Sequence, residues 1–229
     1  MKTKTFLLLL VLLPMAIIFT SCEEDRDVSP LYNGLVTIRY TESDVLYFQL
    51  DDVRTLYPVN MGNGKLWEDG QRALINFYVV DEDDKGFTDA VYVNWIERVL
   101  TKSMVESKGV ENDVVYGKDP VEIVRDWVTV LEDGYLTLRF RTYWRGGVMH
   151  TVNLLVGVNP ANPYEVEFRH NANGDLNYYV GDGLVSFDLS KLPDTEGKTV
   201  KLTLKWMSFS GPKSVVFDYC TSKASGGRL

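Results

Sequence analysis

Short stretches in which apolar and polar side chains strictly alternate dominate the second half of this chain. In YLTLRFRTYW (135–144), Leu136, Leu138, Phe140 and Trp144 share one parity, and Thr137, Arg139 and Arg141 share the other. TVKLTLKW (199–206) sets Val200, Leu202, Leu204 and Trp206 against Lys201, Thr203 and Lys205. A period of two puts one set on each face of a strand, so such a segment needs a packed partner on one side only. EIVRDWVTVL, VMHTVNLLVGV, YEVEFRH, LVSFDLS and SVVFDYC bring the total to about seven strand signals, with Gly, Pro and Asp turns between them, which argues for an immunoglobulin-like β-sandwich. Glu132-Asp133-Gly134 reads as the tightest hairpin.

The first half is also strand-rich. LVTIRYT (35–41) and VLYFQLD (45–51) are separated by the turn Glu42-Ser43-Asp44. RALINFYVVD (72–81) and DAVYVNWIERVL (89–100) flank DEDDKGFT, a hairpin connection, and residues 59–70 read as a glycine-rich loop. Four or five strands without an amphipathic helix suit a small barrel. The polar stretch 102–120 is predicted to link the two units. The predicted organisation is therefore all-β, with a barrel domain over 33–105, a sandwich over 106–222 and a frayed tail over 223–229.

The N-terminus gives an address. Lys2 and Lys4 precede an apolar run from Phe6 to Phe19, broken at Pro14. The run is shorter than the ~20 residues that span a bilayer and has the form of a secretory signal peptide, residues 1–21. Phe19-Thr20-Ser21-Cys22 resembles a bacterial lipobox, in which the cysteine thiol is acylated and becomes the first mature residue. Several acyl chains on Cys22 anchor far more firmly than the K of about 10⁴ M⁻¹ of a single myristoyl chain. Residues 22–32 form an acidic tether, and Glu23-Glu24-Asp25 resembles the surface-export signal of Bacteroidetes lipoproteins. The expected location is the outer membrane, lipid-anchored and surface-exposed. With Cys22 acylated, Cys220 has no intramolecular partner; the alternation of VVFDYC leaves its burial open, and an inert thiol is expected.

Charge excludes one class of partner. Residues 33–105 hold 7 basic and 12 acidic side chains, and residues 106–222 hold 12 and 16. Neither half carries the basic stripe that a nucleic-acid surface requires, and no second, electrostatic attachment to anionic lipid is expected.

No segment carries a persuasive reaction. DEDDKG (81–86) matches a calcium loop at Asp81, Asp83 and Gly86, but Lys85 and Tyr92 occupy two ligand positions. His150 and His170 are the only histidines, and no spacing supplies the three protein ligands of a zinc site, so no metal and no cofactor is expected. His150 reads as a hydrogen-bonded core histidine. Ser210-Gly211-Pro212-Lys213 matches SxxK by spacing but reads as a turn between strands. FRHNANGD (168–175) is the densest polar stretch. Arg169, His170, Asn171, Asn173 and Asp175 are the candidate ligand-binding residues, although Asn173-Gly174 is also a strong turn signal.

FQLDDVRTLYP (48–58), DGQRALINFYVV (69–80), VNWIERVLTK (93–102), GKDPVEI with DW (117–127), HTVNLLV (150–156), EFRHNANGD (167–175) and GLVSFDLSKL (183–192) together resemble the NigD-like lipoprotein family of Bacteroidetes. The resemblance covers nearly the whole mature chain; Asp52-Val53-Arg54 departs from the family's Asp-Gly turn and is expected to bulge or lengthen. It implies an N-terminal OB-like barrel, a C-terminal β-sandwich and a role tied to a bacteriocin locus by an association with immunity. It implies no catalytic or binding residues. The expected function is non-enzymatic binding of a protein or peptide, with glycan capture as the alternative. Two or three aromatics exposed on one face would favour a glycan, and two carboxylates facing across a cleft would favour a hydrolase.

Overall fold

The computed structural model describes residues 29–62, 64–176 and 179–221. The signal peptide, Cys22, Glu23, Glu24, Asp25 and the tail 223–229 lie outside them.

Strands β1 (Tyr32–Tyr40), β2 (Leu46–Gln49), β3 (Thr55–Pro58), β4 (Arg72–Val79) and β5 (Asp89–Arg98) form a closed barrel in the order β1-β2-β3-β5-β4. Antiparallel pairing of β1 with β4 and parallel pairing of β3 with β5 close it. Alternating side chains of these strands fill it: Val36, Ile38, Phe48, Leu56, Ile75 and Val91 are all fully buried. The β4–β5 connection turns at Lys85 and Gly86, whose φ angles of 56° and 87° are left-handed. At Asp52-Val53-Arg54 the connection is held by Asp51, whose Oδ1 accepts the N–H groups of Val53 and Arg54 at 2.9 and 2.8 Å.

The second unit is a sandwich of β6 (Leu100–Ser103), β7 (Val105–Glu106), β8 (Glu122–Ile123), β9 (Val130–Glu132), β10 (Tyr135–Trp144), β11 (Thr151–Val156), β12 (Glu165–Asn171), β13 (Tyr179–Asp188), β14 (Val200–Ser208) and β15 (Gly211–Tyr219). One sheet runs β6-β13-β10-β8, with β9 also on β10, and the other runs β15-β14-β12-β11-β7. Leu136 and Leu138 of one sheet meet Leu154, Val166, Leu202 and Leu204 of the other in the core.

Three sequence expectations change. Residues 102–120 are more than a linker. Met104 is buried in the core, β6 and β7 add to the two sheets in parallel with β13 and β11, and a five-residue helix α1 (Asn112–Tyr116) follows. EIVRDWVTVL splits into β8 and β9 because Asp126 Oδ1 accepts the N–H groups of Val128 and Thr129 and turns the chain between them. VMHTVNLL becomes a strand only at Thr151, after Gly146 and Gly147 with φ of 88° and 87°. The burial of Cys220, which the alternation left open, is settled by the same parity: Tyr219 is buried and Cys220 beside it is exposed.

The β9–β10 hairpin docks the sandwich on the barrel. Its turn, Asp133-Gly134, has φ of 47° and 77°, the two left-handed residues of a type I′ hairpin. Asp133 Oδ2 accepts from Arg39 Nη2 at 3.2 Å, and Asp133 N–H donates to Asp52 Oδ1 at 3.3 Å. Behind the tip lies Arg72, fully buried. Its guanidinium donates to Thr37 Oγ1 at 2.8 Å and to Glu132 Oε1 at 2.7 Å, and sits 5.6 Å from the centre of the Tyr135 ring. This seam fixes two poles. Arg72 and Thr37 face each other on β4 and β1, whereas Tyr32 and Phe77 are paired at the barrel end remote from the sandwich. Residue 29, the first described, therefore enters at that far end.

Candidate functional site

Strand β10 leaves the seam at Tyr135 and ends at Trp144, about 30 Å away at ~3.3 Å per residue. There the alternation that fills the core runs past the end of the sandwich. Trp144 lies opposite Tyr179, and Tyr143 opposite Val180. Trp144 is 51 % exposed, Tyr179 75 % and Met149 82 %. Val180, Val148, Leu176 and Phe209 are also exposed, and Phe209 meets Tyr143 edge-on with centroids 5.1 Å apart. A Cβ on Gly181 would stand 3.5 Å from Trp144 Cε3, so the indole lies across that glycine.

The polar stretch singled out in the sequence lies beneath this surface. Asn173 and Gly174, with φ of 51° and 85°, make a type I′ turn closed by Asp175 N–H to Ala172 O at 3.0 Å. Asp175 is buried, and its Oδ2 accepts Arg145 N–H at 2.9 Å, one residue after Trp144. Asn173 Nδ2 donates to Met149 O at 2.6 Å. Asn171 Oδ1 accepts Asn173 N–H at 2.8 Å. Arg169 donates to Asp113 Oδ1 at 2.6 Å and lies 3.0 Å from Glu167 Oε1. Arg169, Asn171, Asn173 and Asp175 thus support one another, α1 and the exposed loop 145–149.

His170 is buried at the centre of this support, 1 % exposed. The β11–β12 register, with Val152 opposite His170, brings His150 Nδ1 to 3.0 Å from His170 Nε2. His170 Nδ1 lies 3.3 Å from Asp119 O, a carbonyl that can only accept, so Nδ1 carries the proton. His170 Nε2 is then the acceptor and His150 Nδ1–H the donor. His150 Nε2 faces Asp175 Oδ2 at 3.5 Å. The expected core histidine is therefore half of a pair, and no local spacing pointed to it. Among the described residues no His, Cys, Asp or Glu group is arranged to hold a metal ion.

Burial, and secondly the charge of His150, pushes the His170 imidazole below its ordinary range. A base whose folded value is depressed takes up fewer protons folded than unfolded. Its contribution to stability is present above the unfolded value of about 6.5 and is lost as pH falls from there towards the folded value. Amide exchange at residues 168–176, corrected for its intrinsic pH dependence, should accelerate across that window. His170→Gln should abolish the step; an unchanged step would assign it to another group.

The comparisons agree with this architecture. Residues 35–99 match the NigD-like N-terminal OB domain, and residues 103–219 match the NigD-like C-terminal beta sandwich domain. A candidate toxin-related protein of Parabacteroides distasonis is 36 % identical, with a TM-score of 0.75 over 85 % of this chain and 96 % of that one. A Bacteroides vulgatus protein of unknown function shares 21 % identity at a TM-score of 0.69 over 87 % and 96 % of the two chains. A NigD-like immunity protein of Bacteroides caccae shares 19 % at 0.60 over 83 % and 98 %. No curated protein matches the chain. The two domain matches, in this order and nearly end to end over the described residues, make the chain a member of the NigD-like family.

Proposed function

We propose that this is a non-enzymatic, lipid-anchored surface lipoprotein that binds a protein partner through the aromatic pole of its sandwich. The observation that carries this reading is the position and make-up of that pole. It lies at the end of the molecule away from the point where the chain enters the barrel, so an anchor at Cys22 would leave it facing outward. Trp144, Tyr143, Tyr179, Phe209 and Met149 are the residue types concentrated at the centres of protein interfaces. Their neighbours are aliphatic (Val148, Val180 and Leu176). Exposed apolar side chains gathered at one end of a domain mark an interaction site. The immunity protein of B. caccae shares the fold, and an immunity role fits a protein-binding pole.

One observation favours the alternative of a glycan. The Trp144 indole lies across Gly181 with its other face half exposed, and Tyr179 stands opposite it. A sugar ring stacks on such a surface; it also needs polar side chains around the ring, whereas Val148, Met149, Leu176 and Val180 at this end of the sandwich are apolar.

Two arms of one experiment on intact cells test the proposal. Protease shaving should digest the wild type and spare a variant with Glu23, Glu24 and Asp25 changed to alanine. A photoreactive phenylalanine analogue at position 179 should give a discrete protein cross-link that is absent at the exposed control position Lys198 and is lost in a Trp144→Asp background. Protection of both chains from protease would place the pole in the periplasm. Equal labelling at 179 and 198 would end the claim for the pole.

A further inference from the structure

The seam between barrel and sandwich opens, about 30 Å from the aromatic pole, into a cleft of about 380 Å³. That lies within the roughly 300–1,000 Å³ of ordinary ligand pockets. Three carboxylates line it, Asp69 from the barrel and Asp133 and Asp188 from the sandwich, against one cation, Arg39. Arg39 is engaged by Asp133 at 3.2 Å. Asp69 accepts only the N–H of Tyr40, at 3.2 Å, and Asp188 only that of Ser190, at 2.8 Å, among the described residues. Neither Asp69 nor Asp188 has a cation at ion-pair distance among the described residues, and Arg39 is close enough to Asp69 only to feel its charge.

The remaining walls are tyrosines held in place by their own packing. Tyr47 stacks on Phe87 at 4.8 Å, and Phe87 stacks in turn on Tyr57 at 6.1 Å. Tyr219 packs against Tyr164 at 6.2 Å. Tyr135 already receives a cation on its ring, the Arg72 guanidinium. Burial, reinforced by the neighbouring aspartates, holds the Tyr47, Tyr135 and Tyr219 phenols above their ordinary range, so they stay neutral.

We propose that this cleft binds a primary ammonium group, of the kind carried by a diamine or by a lysine side chain. An ammonium brings three donors and a positive charge, and Asp69, Asp133 and Asp188 supply carboxylate acceptors along the cleft. A concave site of one sign also concentrates counter-ions from solution, and the chain as a whole carries a net charge of −8. The acids disfavour an anion, and a neutral saccharide finds the same acceptors without the Coulomb attraction.

The mature chain is titrated with cadaverine, with acetyl-lysine amide, with pentanediol as the uncharged counterpart of the diamine, and with maltotriose, reading tyrosine and tryptophan fluorescence and heat. Both amines should saturate, and the diol and the saccharide should not. Asp69→Asn and Asp188→Asn should each weaken amine binding up to about fivefold, as expected for partly exposed ion pairs. Raising the salt to about 1 M, where the screening length is about 3 Å, should weaken it further. Binding of the lysine derivative without cadaverine would identify a polypeptide as the source of the group. Failure of both amines to saturate, equal binding of the diol, or unchanged affinity in both asparagine variants would overturn the proposal. Asp69 is exposed, so its variant should melt like the wild type. Trp144→Ala, at the opposite pole, should leave amine binding intact, which separates this cleft from the partner-binding proposal.

Discussion

Glu132→Leu is expected to lower the melting temperature by about 10 °C, the largest loss from any single side chain at the domain seam. The change strips the buried Arg72 guanidinium of its only carboxylate among the described residues. Thr37 Oγ1 would remain as its side-chain acceptor, and Arg72 Nε has no hydrogen-bond partner among the described residues even in the wild type. Leaving a buried charge uncompensated costs about 3–5 kcal/mol. Glu132 is 20 % exposed, so some water already reaches the pair and the lower end of that range applies. In a chain of this size about 3 kcal/mol corresponds to roughly 6–12 °C.

The same pair gives the expected rescue. The Glu132 carboxyl is held above its ordinary range, because burial outweighs the attraction of Arg72. A carboxyl with a raised folded value destabilises the fold at neutral pH, and this cost disappears only as pH falls below the unfolded value. The ion pair therefore specifies how barrel and sandwich meet more than it stabilises them. Arg72→Met together with Glu132→Leu should recover most of the loss, since buried pairs are often replaced by apolar groups without penalty. Thermal denaturation of the two single variants and the double variant measures this. A double variant less stable than Glu132→Leu alone would mean that the pair is a net source of stability.

How much of this was legible in the sequence depends on how local each cause is. The strands of the sandwich were legible because each shows one face to the core, and a period of two is a property of the segment itself. The turns at Asp133-Gly134 and Asn173-Gly174 were legible because left-handed backbone is a property of those residue types. The break at Asp126 escaped because it depends on one carboxylate capping two N–H groups inside an otherwise strand-like run. The parallel strands β6 and β7 escaped because their partners, Val185–Asp188 and Leu155–Val156, are some 50 to 85 residues away, and two to four residues carry no period.

The candidate site divides along the same line. FRHNANGD was visible as a dense polar segment, but its residues turn inward and bond one another, and the surface they support is Trp144, Met149 and Tyr179. Trp144 had the parity of a core residue. It is the last residue of β10 and is exposed all the same, and where a strand outruns the core is not written in its own pattern. The histidine pair needed the register of β11 on β12, which a single sequence leaves undetermined. Asp69 and Asp188, which line one cleft at the seam, come from different domains and are brought to it only by docking.

Gly117→Ala is expected to cost about 4 kcal/mol and to loosen the aromatic pole from beneath. Gly117 ends α1 at φ 79° and ψ 171°, a region of backbone space open essentially to glycine alone. Occupying it with another residue costs about 1–3 kcal/mol. The added Cβ would also fall 2.5 Å from Asn171 Cβ and 2.6 Å from His170 O, a clash with backbone that no rotamer change relieves. Overpacking of that kind costs a further 1–3 kcal/mol or so. The close approach has a purpose in the fold, because it delivers Asp119, whose carboxylate accepts Ala172 N–H at 2.8 Å and whose N–H donates to His170 O at 2.9 Å. Gly86→Ala supplies the control, since φ there is 87° but a Cβ would meet nothing within 4 Å, leaving the conformational cost alone. Gly117→Ala should therefore melt well below Gly86→Ala, and exchange at residues 168–176 should accelerate in the first variant only. Equal losses in the two would mean that the chain at 117 relaxes away from Asn171, and the support of the pole would then rest on the bonds of Asp175 and Asn173 to the loop above them.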